Sequence, residues 1–225
     1  MDHPLDNPAW YALSGPHAGL SLTSGGVKRY RPEISVFVAV ENPATADMAG
    51  LDDLVPHGTV VGFPVAAAVS LPAGYEVISR VNVVQMVAEA TKPVVLSEEM
   101  VRLGAANQRE MLDLVDLTHP GPFAPETWRM GQYFGIFDGD ALVAMAGERM
   151  TLKGFVEVSA VCTHPDYRGR GYAKQLVSRV AGDIARQGRT PFLHVLEDNA
   201  VAIATYEKLG FATRRPLTFA VAQRS

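Results

Sequence analysis

The clearest patterning lies in the second half of the chain. The run "FVEVSAVCT", 155–163, alternates in the period of two that marks a strand. Beyond a short glycine-rich bend, Tyr172, Ala173, Leu176, Val177, Val180, Ala181, Ile184 and Ala185 recur every 3.6 residues, and Gly188 stands where a helix should stop. Before these come an apolar run "VVLS", a helix through "ANQREMLDLVDL" and a loop "THPGPFAP". A hairpin follows, with Asp138-Gly139 as its turn between two apolar runs. After them come a strand "PFLHVL", a helix "NAVAIATYEKL" stopped by Gly210, and a last apolar run "LTFAVA". The predicted order is β-α-β-β-β-α-β-α-β, an α/β architecture.

The first ninety residues are less regular. "ISVFVAV" and "GTVVGF" read as strands, "ATADMAGLDDLV" as a helix, and "VNVVQMVAE" fits either. The proline-flanked step "EATKPVVLS" is the best boundary, because a residue before proline is pushed out of helical geometry. It divides the chain into an N-terminal α/β region, 1–92, and a C-terminal domain, 93–225.

Composition narrows the class. With 48% hydrophobic residues the 225-residue chain is of ordinary globular make-up, and a formal charge of −4 leaves no basic footprint for nucleic acid. The acidic excess sits in the first part, with nine acids and five bases up to Lys92 against fifteen of each afterwards. The one cysteine, Cys162, excludes an internal disulfide and any multi-cysteine zinc cluster. The most apolar window, "TVVGFPVAAAVSLPAG", is broken by Pro64 and Pro72 and falls short of a bilayer span, and the N-terminus has no signal-like basic start. A cytoplasmic protein, with no membrane or metal partner, is the expectation.

The chemistry concentrates at the bend "RGRGYAK", 168–174, between strand and helix. The first N–H groups of a helix lack partners and carry the positive end of its dipole, which suits a phosphate. Gly169 and Gly171 remove side chains that would block approach, and Arg168 and Arg170 add charge. A P-loop spacing is absent, and a dinucleotide fingerprint fails because Lys174 stands where its third glycine belongs. The pattern [QR]-x-x-G-x-[GA] is met by Arg168, Gly171 and Ala173, and here the sequence resembles the GNAT superfamily of acyl-CoA-dependent N-acyltransferases, over about Val94 to Ala222. The segment "NAVAIATYEKLGF", 199–211, is similar to the family's other recurring feature. Asn199, Ala202 and Tyr206 fall on one face of that helix.

The resemblance implies the GNAT fold, a central mixed and mostly antiparallel sheet flanked by helices, here preceded by the smaller N-terminal region. It implies that amides of Arg168, Gly169, Arg170, Gly171, Tyr172, Ala173 and Lys174 hold the pyrophosphate of acetyl-CoA, that main-chain groups of Val161, Cys162 and Thr163 pair with the pantetheine arm, and that Asn199 lies against it. Tyr206 becomes the candidate general acid for the departing thiolate, since a tyrosine with pKa about 10 stays protonated at neutral pH. The reaction implied is transfer of an acetyl or other short acyl group to a primary amine, by direct attack in a ternary complex.

An attacking amine must shed a proton. Alternation places Glu157, Ser159, Val161 and Thr163 on one face of their strand and Val156, Val158, Ala160 and Cys162 on the other. Glu157, the one ionisable group amid that strand, is the candidate base, with Glu148 second and water as the remaining choice; pairing of Glu157 with Arg149 is an equal alternative. Cys162 reads as a core residue. His119, His164 and His194 lack ligand spacing, and Phe123 and Trp128 either line an acceptor pocket or anchor a surface loop. The layout is weakly similar to glycine N-acyltransferase relatives, which implies a small amine or amino-acid acceptor rather than a protein. For residues 1–92, capping the acceptor site, homodimerisation and descent from a decayed GNAT copy all stay open. A non-catalytic acyl-CoA sensor is the alternative function.

Overall fold

The computed structural model describes residues 3–43, 48–88, 90–92, 94, 95 and 97–225. In chain order they form α1 (Pro8–Leu13), β1 (Ser21–Ser24), β2 (Val27–Tyr30), β3 (Val38–Val40), α2 (Leu51–Leu54), β4 (Val60–Phe63), β5 (Tyr75–Ala88), β6 (Val101–Leu103), α3 (Gln108–Thr118), β7 (Tyr133–Asp138), β8 (Ala141–Leu152), β9 (Phe155–Thr163), α4 (Tyr172–Arg186), β10 (Thr190–Leu196), α5 (Ala200–Lys208) and β11 (Phe211–Arg224). Strands β1 to β3 make a small antiparallel sheet. The rest make one eight-stranded sheet in the order β4-β11-β5-β10-β9-β8-β7-β6. Its one parallel pair among these is β9 with β10.

The long strand β5 lies in the middle of this sheet, hydrogen-bonded to β10 on one side and β11 on the other. The stretch "VNVVQMVAE", ambiguous by pattern, is thus strand over its described residues. Two strands from before residue 92 belong to the large sheet, so the proline-flanked step at 92 is a break in local pattern and not in the sheet.

The expected strand at 94–97 does not form over its described residues. The amide of Val94 donates to Ser178 Oγ and that of Ser97 to Gln175 Oε1, so α4 side chains take the bonds that a strand would use. The first strand of the C-terminal order is β6 instead. The expected helix over 44–55 is confined to α2 within its described part, residues 44–47 lying outside the described residues.

Helices α4 and α5 cover one sheet face, where Leu176, Val177, Val180 and Ile184 pack with Val156, Val158, Leu193 and Met86. On the other face α3 contributes Met111, Leu114 and Val115 against Tyr133 and Met145, while α1 brings Ala9, Ala12 and Leu13 to Met150 and Phe192. Burial of these apolar faces is the main force holding the layers together. Among the described residues no helix is long and apolar enough to cross a membrane.

Candidate active site

The bend after β9 has the conformation its residues demand. Gly169 and Gly171 both sit at φ 80°, in the left-handed region that other residues adopt only at a cost, and Gly171 is the N-cap of α4. A Cβ on either glycine would meet no atom within 4 Å, so backbone conformation, together with open space for a ligand, accounts for them. Arg168, Gly169, Arg170, Gly171 and Lys174 are exposed, while Tyr172 and Ala173 are half-buried in the first turn. The Arg170 guanidinium lies 4.6 Å from the centre of the Tyr167 ring, and the Tyr167 hydroxyl donates to Asp138 at 2.6 Å. These contacts tether the loop to the β7–β8 turn.

Beside the loop the two parallel strands part. Pairing runs only through Thr190 with Phe155, Pro191 with Val156 and Phe192 with Glu157. Beyond that point β10 stays with β5 as far as Leu196, and β9 runs on from Val158 to Thr163 beside β8 alone. The β10-facing main chain of Val158–Thr163, including Val161, Cys162 and Thr163, is left for another partner. Thr163 also carries a buried Oγ1 without a hydrogen-bond partner. An extended arm bearing amides fits this edge by strand addition, and a pyrophosphate fits the amides of the bend.

Strand β9 departs from simple alternation. Its pairing with β8 steps from Met145–Cys162 to Gly147–Ser159, which inserts an extra residue on β9, and Ala160 within that bulge has φ 51°. The bulge reverses the faces. Val161 joins Val156 and Val158 on the α4 side, while Ala160 and Cys162 pack with Met111 and Tyr133 on the α3 side. The expected grouping of Val161 with Glu157, and of Cys162 with Val158, is therefore corrected. The Cys162 thiol is buried, and burial pushes its pKa up to about 11, which suits a core residue and not a nucleophile.

Tyr206 lies on α5, packed with Ala202 and Ile203 against the α4-side core, its ring edge-on to Phe211 at 6.1 Å. Desolvation pushes its pKa up to about 12, so it holds its proton at neutral pH. Asn199 is exposed, and its Oδ1 accepts from the Ala202 amide at 3.1 Å as the α5 cap.

The two carboxylates considered for the base differ in how far their oxygens are engaged. Glu157 is fully buried and accepts from Arg149 Nε at 2.8 Å, Arg149 Nη2 at 2.6 Å and His194 Nδ1 at 2.7 Å. Burial alone would raise its pKa, but the charge and hydrogen bonds of Arg149, with the bond from His194, bring it down to about 2. So weak a base does not take a proton from an ammonium group, and its lone pairs are engaged. Glu148 shares the face of Ala144 and Ala146, and its charged neighbours include Asp183 and Arg189 at the far end of α4. That end is about 16 Å along the helix from the bend. Glu148 is buried opposite Val158, the first β9 residue past the parting; its Oε2 accepts from the Gln132 amide, its Oε1 has no partner among the described residues, and burial raises its pKa.

Of the polar groups outside the expected site, pattern reading passes over Gln85 and takes His194 only as a histidine without ligand spacing. Each interrupts a local apolar run, "VVQMVA" for Gln85 and "PFLHVL" for His194, the same signal that drew attention to Glu157. Phe123 and Trp128 pack as half-buried anchors against the α3-side core, with Phe123 edge-on to Tyr133 at 5.7 Å. A separate open cleft of about 530 Å³ lies beyond the C-terminal end of β10, with Arg80, Asn82, Glu197 and Thr218 on its walls and residues 66–69 across it.

Comparison with known proteins agrees with this geometry. The FR47-like protein family matches residues 133–220, from β7 into β11. An acetyltransferase of Yersinia pestis (strain Pestoides F) is 45% identical over 53 residues, 23% of this chain, and the chain matches 37% of that relative's length. The crystal structure of a GNAT-family protein from Novosphingobium aromaticivorans is 39% identical with a TM-score of 0.92, each chain covered completely. A GCN5-related N-acetyltransferase from Kribbella flavida has the same fold at 16% identity and a TM-score of 0.64, covering 100% of this chain and 96% of its own. With a relative so similar over its whole length, and with the glycine bend and parted strands in place, the chain belongs to the GNAT family of acetyltransferases.

Proposed function

We propose that this protein transfers an acetyl group from acetyl-CoA to a primary amine on a small molecule, by direct attack in a ternary complex. The observation that carries this reading is the parting of β9 and β10 beside a helix N-terminus opened by two left-handed glycines. Bound there, acetyl-CoA supplies an activated acyl group. The amides of the bend bind its pyrophosphate with help from Arg168 and Arg170, and Val161 to Thr163 align its arm. Tyr206 gives its proton to the departing sulfur. With Glu157 saturated, the proton that the amine loses goes to Glu148, opposite the first β9 residue past the parting, or to water.

A small acceptor is favoured by the layout, which is weakly similar to glycine N-acyltransferase relatives. An amine that also bears an acid group, such as an amino acid, belongs to that class. The single thiol and absence of disulfides suit a cytoplasmic setting.

The test is a thiol-release assay with acetyl-CoA across amino acids, their amides and simple amines. The reading expects release that depends on the amine, with amino acids as the better acceptors. Binding of acetyl-CoA without release for any amine would indicate a sensor instead.

A further inference from the structure

Where β9 and β10 part, a chain of buried side chains takes over from the backbone. His194 is the one histidine of β10 and lies opposite Gln85 of β5. Its Nδ1 meets Glu157 Oε1 at 2.7 Å, and its Nε2 meets Gln85 Nε2 at 2.9 Å. The Gln85 amide also donates to the Leu5 carbonyl at 2.8 Å and accepts from Arg214 at 2.7 Å. An arginine only donates and a carbonyl only accepts, so the orientation of this amide is settled by its neighbours. Gln85 Nε2 must then donate to His194 Nε2, and His194 Nδ1–H must donate to Glu157. Every hydrogen bond in the chain has one donor and one acceptor.

The series runs Arg149 of β8, Glu157 of β9, His194 of β10, Gln85 of β5 and Arg214 of β11, and ends on Asp6, which Arg214 meets at 2.8 Å and Arg215 at 3.2 Å. Gln85 and Glu157 are fully buried, and the His194 side chain is 3% exposed. Glu157 is the final β9 residue paired with β10, and His194 lies one same-face step beyond its partner Phe192. The Glu157–His194 bond therefore spans the point of divergence. Past it β10 is held by β5 alone, so this bond sets where β10 stands relative to the edge of β9.

We propose that His194 is a positioning residue for the transfer reaction, fixing the mouth between β9 and β10 at the width the acyl-bearing arm requires, with the N-terminal segment around Leu5 and Asp6 holding it in place through Gln85. The proposal rests on the acetyl-CoA reading above. It gives the N-terminal segment a task in the site without any contact to substrate. His194 itself takes no proton from the amine, because both ring nitrogens are engaged.

The experiment compares His194→Leu, His194→Gln and Gln85→Leu with the unaltered protein, measuring acetyl-CoA affinity by calorimetry, KM and kcat by thiol release, and Tm. Glutamine at 194 can donate to Glu157 and accept from Gln85, so it restores the series. The expected result is that His194→Leu weakens acetyl-CoA binding and raises its KM by about tenfold or more, since misplacement by about 1 Å is costly at a reacting centre. His194→Gln stays within about threefold, and Gln85→Leu shifts the KM in the same direction as His194→Leu. A folded His194→Leu protein with unaltered acetyl-CoA affinity overturns the proposal, whatever its Tm. If His194→Leu does not fold, an unaltered affinity in Gln85→Leu overturns it. Failure of the unaltered protein to bind acetyl-CoA sinks the functional reading itself, a different result from equal binding by all variants.

Discussion

Glu157→Gln is expected to cost about 3–5 kcal/mol of stability, because it leaves the buried Arg149 guanidinium without its counter-charge. Glutamine has nearly the same shape, so the loss isolates charge from packing. For a chain of this size that corresponds to a fall in Tm of about 10 °C. Thermal and urea unfolding measure it. The same carboxylate makes the fold acid-sensitive. Its pKa is about 2 in the folded protein against 4.5 ordinarily, so between those values the unfolded chain binds more protons. Its contribution is present above pH 4.5 and fades as the pH falls toward 2. His17 adds to this at higher pH. Burial lowers its pKa from 6.5 to about 4, so the unfolded chain again takes the proton first and stability falls as the pH drops through that range. In Glu157→Gln the loss between pH 6.5 and 4 should persist, while the further loss below 4.5 should shrink. An unchanged acid limb would show that Glu157 is not the titrating group.

Tyr206→Phe is expected to lower kcat by about 10²-fold or more, the usual contribution of a positioned general acid, with acetyl-CoA affinity unaltered. The ring keeps its packing against Ala202, Ile203 and Phe211, and only the hydroxyl is lost. Because its pKa is raised to about 12, a tyrosine acid predicts no loss of activity between pH 7 and 9 from ionisation of this group. A variant that turns over at the original rate would remove Tyr206 from the chemistry. A slower variant that also binds acetyl-CoA poorly would point to the hydroxyl as a binding group.

The parts of the site legible in the sequence are those with local causes. The glycine pair at 169 and 171 is demanded by backbone conformation, α4 by an apolar period over fifteen residues, and the Asn199 cap by its neighbours. The order of elements after α3 follows from turns such as Asp138-Gly139. What pattern reading missed depends on residues far apart. Gln85 and His194 are 109 positions apart, and nothing local announces that β5 enters the sheet between β10 and β11. The bulge at Ala160 carries no glycine to mark it, yet it reverses the sides on which Val161 and Cys162 lie. Glu157 shows the limit most sharply. A lone carboxylate in an apolar strand signals an unusual role, but only the partners across the sheet decide between a base and a buried counter-ion.

The most direct test of the account is calorimetric titration of the whole protein with acetyl-CoA, and then with free coenzyme A. Micromolar binding of both, one ligand per chain, is the predicted result, since the bend and the parted strands hold the parts that the two ligands share. An absence of measurable heat with either ligand, from protein that is folded by its thermal transition, would contradict the reading of "RGRGYA" as a pyrophosphate cradle and the acyl-transfer function built on it.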